Sequence, residues 1–189
     1  MFDARHRFVL SYQWSLPFWK QPRTWFHRVL GDWQVNGIAT LMSGTPFTVF
    51  DARDVSVRGG APEITGFSAN RPNLTPGEDP NDGPQTVDAW LNPNAFQRLT
   101  PDPNSPVQQF GTAGRNIAEG PGYANWDFSA LKNFRIAESK VLQFRAEFFN
   151  FLNHANFRLP DSDISSPTFN QILAANSPRP IQFALKCLF

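Results

Sequence analysis

Apolar and polar residues alternate with a period of two along several stretches of the chain. From Phe8 to Leu16, one set of alternate positions holds Phe8, Leu10, Tyr12, Trp14 and Leu16, and the other holds Val9, Ser11, Gln13 and Ser15. A helical stripe drawn from Phe8 meets Ser11 and Ser15, so the pattern predicts a strand near residues 6–16. Trp33, Val35, Gly37, Ala39 and Leu41 against Gln34, Asn36 and Thr40 predict a second strand near 32–49. Trp126, Phe128 and Ala130 against Asp127 and Ser129 predict a third near 124–136, and Ile181, Phe183, Leu185, Cys187 and Phe189 against Gln182, Ala184 and Lys186 predict the last near 180–189.

Residues 140–152 fit two templates. Leu142, Phe144, Ala146 and Phe148 alternate with Gln143, Arg145 and Glu147, whereas Val141, Phe144, Phe148, Phe151 and Leu152 form a helical stripe. The strand is preferred because its neighbours are strands and Ala137-Glu138-Ser139 has the length of a hairpin link. Facing residues share a face, which sets Phe134 opposite Leu142, Phe128 opposite Phe148 and Ser129 opposite Glu147. Lys132 then points outward among apolar residues near a strand end, where its ammonium is expected to reach the interface.

Between these strands the chain is dense in breakers: 10 of the 17 prolines and 9 of the 12 glycines fall between Val49 and Tyr123. That predicts a very long loop, 50–123, with few buried apolar contacts, and such a loop belongs in a fold where long loops are ordinary. Strands of roughly 9 to 13 residues suffice to cross a bilayer at a tilt, and the links between them alternate long and short. The fold class that follows is all-β: an antiparallel transmembrane β-barrel segment of about five strands, not a closed barrel alone, with long extracellular loops. Lipid takes the apolar face, and Asp127, Ser129, Gln143, Arg145 and Glu147 project as polar candidates into a wet lumen. For Asp127, Arg145 and Glu147 a substrate path stands beside a plain structural polar network. A soluble or surface-displayed β-sandwich binding module, for example carbohydrate-binding, would show the same alternation with its apolar face turned inward. Periodicity does not separate the two; the aromatic content and the loop asymmetry favour the membrane.

Composition narrows the chemistry. The 189 residues carry a net charge of +1 and no clustered basic face, against a nucleic-acid partner. No apolar run approaches the roughly 20 residues of a transmembrane helix. A single cysteine, Cys187, permits neither an intrachain disulfide nor a Cys-rich zinc site, and His6, His27 and His154 lack ligand spacing. Asp51, Asp54, Glu78, Asp79, Asp82 and Asp88 show no calcium-loop spacing, so no metal or other cofactor is expected. With no nucleophile elbow, metal motif or phosphate-cradling loop, no enzyme is expected either. The N-terminus lacks the pattern of an export signal, which is therefore expected upstream of Met1.

Several segments carry a resemblance. Gly31-Asp32-Trp33-Gln34-Val35-Asn36-Gly37-Ile38 with Ser43-Gly44-Thr45-Pro46-Phe47-Thr48-Val49 resembles a strand and its exit in the barrels of Oar-like TonB-dependent outer-membrane receptors. Arg115-Asn116-Ile117, Gly120-Pro121-Gly122-Tyr123-Ala124-Asn125-Trp126-Asp127-Phe128-Ser129 and Lys132-Asn133-Phe134 are similar to that family in order. Leu142 to Phe157 resembles its penultimate strand and Asn-rich exit, and Arg179 to Lys186 its closing strand. The resemblance implies a C-terminal part of a receptor barrel in the bacterial outer membrane, one of about 22 strands around a plug. It also implies energy-coupled uptake of a large or scarce ligand by the complete protein. The implied partners are outer-membrane lipid, the barrel assembly machinery, the missing N-terminal strands and plug domain, and through these an inner-membrane energy-coupling complex. Phe183, Leu185 and Phe189 resemble the terminal signal that the assembly machinery reads.

That signal can be tested apart from stability. Loss of one interfacial aromatic costs a few kcal/mol at most, whereas loss of a signal stops insertion whatever the final stability. Deleting Phe189 from the complete polypeptide is expected to abolish outer-membrane yield in cells and to leave refolding into detergent intact. Equal yields in both settings would refute the signal.

Overall fold

A computed structural model describes residues 4–18, 24, 29–53, 70–100, 110–137 and 140–189. Among the described residues nine strands follow in chain order: β1 (Arg7–Ser15), β2 (Trp33–Met42), β3 (Pro46–Phe47), β4 (Asn73–Leu74), β5 (Phe96–Gln97), β6 (Ala118–Glu119), β7 (Tyr123–Ala137), β8 (Lys140–Phe148) and β9 (Ile181–Leu188). Two compact units result. One comprises His6–Met42, Tyr123–Asn156 and Asn176–Phe189; the other comprises Met1–Arg5, Ser43–Gly122 and Phe157–Ala175.

The first unit is a five-stranded sheet in the order β1-β2-β7-β8-β9, with every neighbour antiparallel. The β7–β8 hairpin has the expected register, with Phe134 opposite Leu142, Phe128 opposite Phe148 and Ser129 opposite Glu147. A register shift between Arg135 and Ala137 absorbs the end of the hairpin; Glu138 and Ser139 lie outside the described residues. Residues 140–152 are a strand only as far as Phe148, because Asn150 takes a left-handed φ of 51° that turns the chain. Likewise the strand expected near 32–49 ends at Met42, and Pro46–Phe47 leave to pair with Ala118–Glu119.

Register places the alternate sets on opposite faces. On one face lie Phe8, Leu10, Tyr12 and Trp14 of β1, with Trp126 and Phe128 of β7 and Phe144 and Phe148 of β8. A sandwich would cover this face with a second sheet, yet the other two sheets are two-stranded ribbons, and Phe8, Trp14 and Phe183 are 56%, 57% and 66% exposed. Against the sandwich alternative, a five-stranded sheet whose apolar face carries exposed aromatics suits a lipid environment. No described helix is long and apolar enough to cross a membrane.

Polar atoms on the apolar face find partners within the sheet. Tyr12 lies across Gly37, where any Cβ would overlap its ring, and its hydroxyl accepts a hydrogen bond from Trp126 Nε1 at 3.1 Å. Phe151 folds back to contact Trp126, Phe128 and Phe148 at centroid distances of 5.3, 5.1 and 5.7 Å. Lys132 faces outward as expected, but its ammonium does not run out to water. It is 2% exposed, donates to the Gly31 carbonyl and lies over the rings of Trp33 and Phe134 at 5.9 and 5.2 Å.

The second unit overturns the expectation that 50–123 is a loop with few buried apolar contacts. Phe47, Val49, Leu91, Ala95, Phe96, Ala118 and Ile164 form a core, with Phe96 edge-on to Phe169 at 6.2 Å. Short strands and proline turns leave many backbone groups without ladder partners, and asparagine side chains take them up. Asn170 accepts from the amides of Trp90 and Leu91 and donates to the Leu91 carbonyl. Asn81 donates to the Ile117 carbonyl at 3.0 Å and accepts from the Glu119 amide at 2.7 Å. Segments far apart in sequence join where Phe50 pairs in parallel with Asp163.

An ion pair between a buried carboxylate and an exposed arginine lies in this unit. Asp51 is fully buried and accepts from Arg53 Nε at 2.9 Å and Nη2 at 2.6 Å. Burial alone would raise the carboxyl, but hydrogen bonds from Arg53 and the charges of Arg53 and Arg98 outweigh it, leaving it below the ordinary range. Because the folded value is depressed, the stabilisation is present above the unfolded value of about 4 and is lost as pH falls through the lower folded value. A cysteine placed at the buried Val49, with Cys187→Ser, is expected to react with 4,4′-dithiodipyridine faster as pH drops below about 4. Adding Asp51→Asn is expected to raise the rate above that pH and flatten the profile. A flat profile with Asp51 in place would show that the pair does not hold the core closed.

Candidate functional site

The five polar candidates all project from the sheet's second face. Asp127 and Ser129 of β7 lie two residues apart, as do Gln143, Arg145 and Glu147 of β8, and the pairing of Ser129 with Glu147 sets both strands on that face. The register extends one row across every strand: Gln13 opposite Asn36, Asn36 opposite Ser129, Ser129 opposite Glu147, and Glu147 opposite Gln182. An adjacent row sets Ser11 opposite Ile38 and Ile38 opposite Asp127.

The structure brings Asp127, Ser129, Arg145 and Glu147 together around an open depression of about 490 Å³. Gln143 is not among its walls. It lies closer to the hairpin, where its Nε2 donates to Asn133 Oδ1 at 3.0 Å, and it lines a separate hollow of about 360 Å³. The depression also includes Ser11, Gln13, Asn36, Ile38 and Phe149, which sequence reasoning did not single out. For the first four the signal was present, since they occupy the face opposite the large aromatics of β1 and β2. For Phe149 there was none, because it follows the last strand residue and stands outside the alternation.

Charge within the depression is mostly cancelled. Arg145 Nε sits 3.2 Å from Glu147 Oε1, an ion pair between residues two apart on one strand. Both groups keep access to solvent, so the pair contributes at most about 1 kcal/mol and serves mainly to neutralise. Asp127 has a different role. Its Oδ1 accepts from Asn125 Nδ2 at 2.9 Å and from the Asn150 amide at 3.0 Å, so a carboxylate of the depression also holds the turn that leaves β8.

That turn is an asparagine clasp. Asn150 Nδ2 donates to the His154 carbonyl at 2.8 Å, and Asn150 Oδ1 accepts from the His154 amide at 3.0 Å. Asn156 accepts from the Ala124 amide at 2.8 Å and donates to its carbonyl at 2.9 Å, as a neighbouring strand would. Asn153 Oδ1 accepts from the Arg179 amide, and Arg179 Nη1 donates to the Phe151 carbonyl, both at 3.0 Å.

The described residues contain no group of three or more His, Cys, Asp or Glu side chains placed to hold a metal ion. The depression offers hydroxyls, amides and one carboxylate outside an ion pair, which suits it to hydrogen-bond a polar solute. The terminal residues lie on the other face: Phe183 stacks against Phe144 at 6.2 Å, and Leu185 pairs with Phe144 across the ladder. Phe189 follows the last strand residue and is fully exposed.

Because Asn156 satisfies two backbone groups at the start of β7, Asn156→Ala leaves both unpaired at a cost of about 1–3 kcal/mol. A lower urea midpoint of the detergent-refolded protein is the expected outcome; a midpoint equal to that of the unmodified protein would show that other groups or water replace the clasp.

A family model described as an outer membrane beta barrel domain matches residues 1–182. No curated protein and no solved structure matches the chain.

Proposed function

The chain belongs to the outer membrane beta barrel domain family and resides in the outer membrane, and on that premise we propose that it is the C-terminal wall section of a TonB-dependent receptor. Strand direction carries this reading. β1 runs from the end bearing Met42 towards that bearing Gln34, and β9 runs from the end of β8 at Phe148 towards Val141, so the two edge strands point the same way. An antiparallel barrel cannot close by pairing β9 with β1, in one copy or between copies, since that seam would be parallel. An odd number of further strands restores alternation and gives the even total usual in bacterial barrels.

In this reading the further strands and the plug come from the same polypeptide. The plug lies against the polar face, and the inner-membrane energy-coupling complex reaches the barrel through it. The polar face serves binding and passage rather than catalysis. Motif order supports the receptor over a passive pore: Ser43 to Val49 and the Gly120 segment, apart in sequence, meet in the β3–β6 ribbon, where Gly120 N donates to the Thr45 carbonyl at 3.0 Å.

An antibody raised against residues 70–100 tests the proposal on outer membranes. A single polypeptide far heavier than 21.4 kDa, cross-linking to the inner-membrane energy-coupling protein, is expected. A band at 21.4 kDa alone would overturn the wall-section assignment. A heavy band that never cross-links would overturn coupling and leave a barrel of another kind.

A further inference from the structure

We propose that the link between β8 and β9 is a strap latched onto the long insertion by Asn170, so that the two links open and close as one body. The inference concerns the second unit alone and stands whether or not the receptor reading does. Residues 157–175 of the link belong to that unit together with residues 43–122. A segment this short buries too little apolar surface to hold itself folded. Its apolar residues go into the core of the insertion instead: Ile164 and Ile172 are each 5% exposed, and Ile164 and Phe169 pack with Phe47, Val49, Leu91 and Phe96.

Asn170 sits where the two segments cross. Its backbone takes a left-handed φ of 72°, and its carbonyl accepts from the Trp90 amide at 3.0 Å. Its side chain, 4% exposed, accepts from the amides of Trp90 and Leu91 and donates to the Leu91 carbonyl at 2.8 Å. Further joints lie on either side of it. The Ile164 amide donates to the Phe50 carbonyl at 2.8 Å, the Phe50 amide to the Ser162 carbonyl at 3.0 Å, and the Ile172 amide to the Val87 carbonyl at 2.8 Å. Asp163 Oδ1 accepts from the Ala52 amide at 3.1 Å, and Arg98 Nε and Nη2 both donate to the Ile164 carbonyl.

These joints make separate opening costly. Were the strap to lift alone, the amide and carbonyl of the buried Leu91 would lose their Asn170 partners inside the core, and unpaired buried peptide groups are expensive. Were the insertion to open alone, Ile164 and Ile172 would lose their cover. Only a joint opening lets water reach both sets of groups, so the two segments form one cooperative unit. A link free on its own can fold over a ligand as a flap. This pair instead offers one surface formed in advance.

Hydrogen–deuterium exchange of the complete polypeptide in detergent, read by mass spectrometry, tests the latch. The informative amides are Thr75 and Ala113, whose hydrogen bonds to the carbonyls of Ala95 and Pro72 run within the insertion and away from the strap. Asn170→Gly keeps the left-handed backbone accessible and removes only the side-chain bonds. Exchange is expected to rise about tenfold in peptides over 161–174, and by the same factor in peptides over 73–78 and 110–115, while β8 keeps its protection. Arg98→Ala, at an exposed side chain, is expected to raise the same three segments by a smaller common factor, and it carries the comparison if Asn170→Gly does not fold. A rise confined to 161–174, factors that differ several-fold among the three segments, or no change in either variant would overturn the inference.

Discussion

Where water is excluded, every backbone amide and carbonyl must find a partner in the chain, and this demand shapes the rest of the structure. Long strands meet it through ladders, and the decisive ladder is the one between β2 and β7. It joins two hairpin-like halves across an insertion of 80 residues, from Ser43 to Gly122, by pairing Trp33 with Lys132 at one end and Met42 with Tyr123 at the other. Since strand side chains alternate, that single register decides at once which residues meet lipid and which form the polar row. A slip of one residue would put Asp127 among the aromatics and Trp126 among the amides.

The same demand explains the asparagines. At several places where ladder partners are lacking, an asparagine side chain stands in, because its amide carries the donor and acceptor of a peptide group. Asn156 does this for Ala124 at the start of β7, Asn170 for Trp90 and Leu91, and Asn81 for Ile117 and Glu119. Asn150 and Asn153 add positive φ angles of 51° and 53°, which tighten the exit from β8 within four residues. A proline-rich insertion with strands of two residues can therefore hold a buried core without regular secondary structure.

Polar atoms on the apolar face follow the rule with side chains instead of backbone. Trp126 gives its indole hydrogen to Tyr12, which reaches it only because Gly37 leaves the space between them clear. Lys132 spends its charge on the Gly31 carbonyl and two aromatic rings. On the opposite face the constraint relaxes, because water or a solute can partner Ser11, Gln13 and Ser129. The contrast between a satisfied face and an open one marks the open one as the site.

Much of this was already determined by the sequence. Period-two alternation identified four of the five long strands, strand neighbours and a hairpin-length link decided the fifth, and the hairpin length with same-face pairing set the β7–β8 register to the residue. It also put Asp127, Ser129, Gln143, Arg145 and Glu147 on one face, since these follow from local geometry that repeats every two residues. Tertiary structure alone decided what depends on contacts between distant segments. Prolines and glycines in 50–123 signal broken regularity, but a chain without regular elements can still pack a core. The core there comes from Val49, Leu91, Ala118 and Ile164 meeting across large sequence separations. The depression gained Phe149 only because the chain turns at Asn150, and it lost Gln143 because that residue sits closer to the hairpin. Alternation gives the face a residue occupies; which residues on that face adjoin is decided by register between strands that the chain visits far apart.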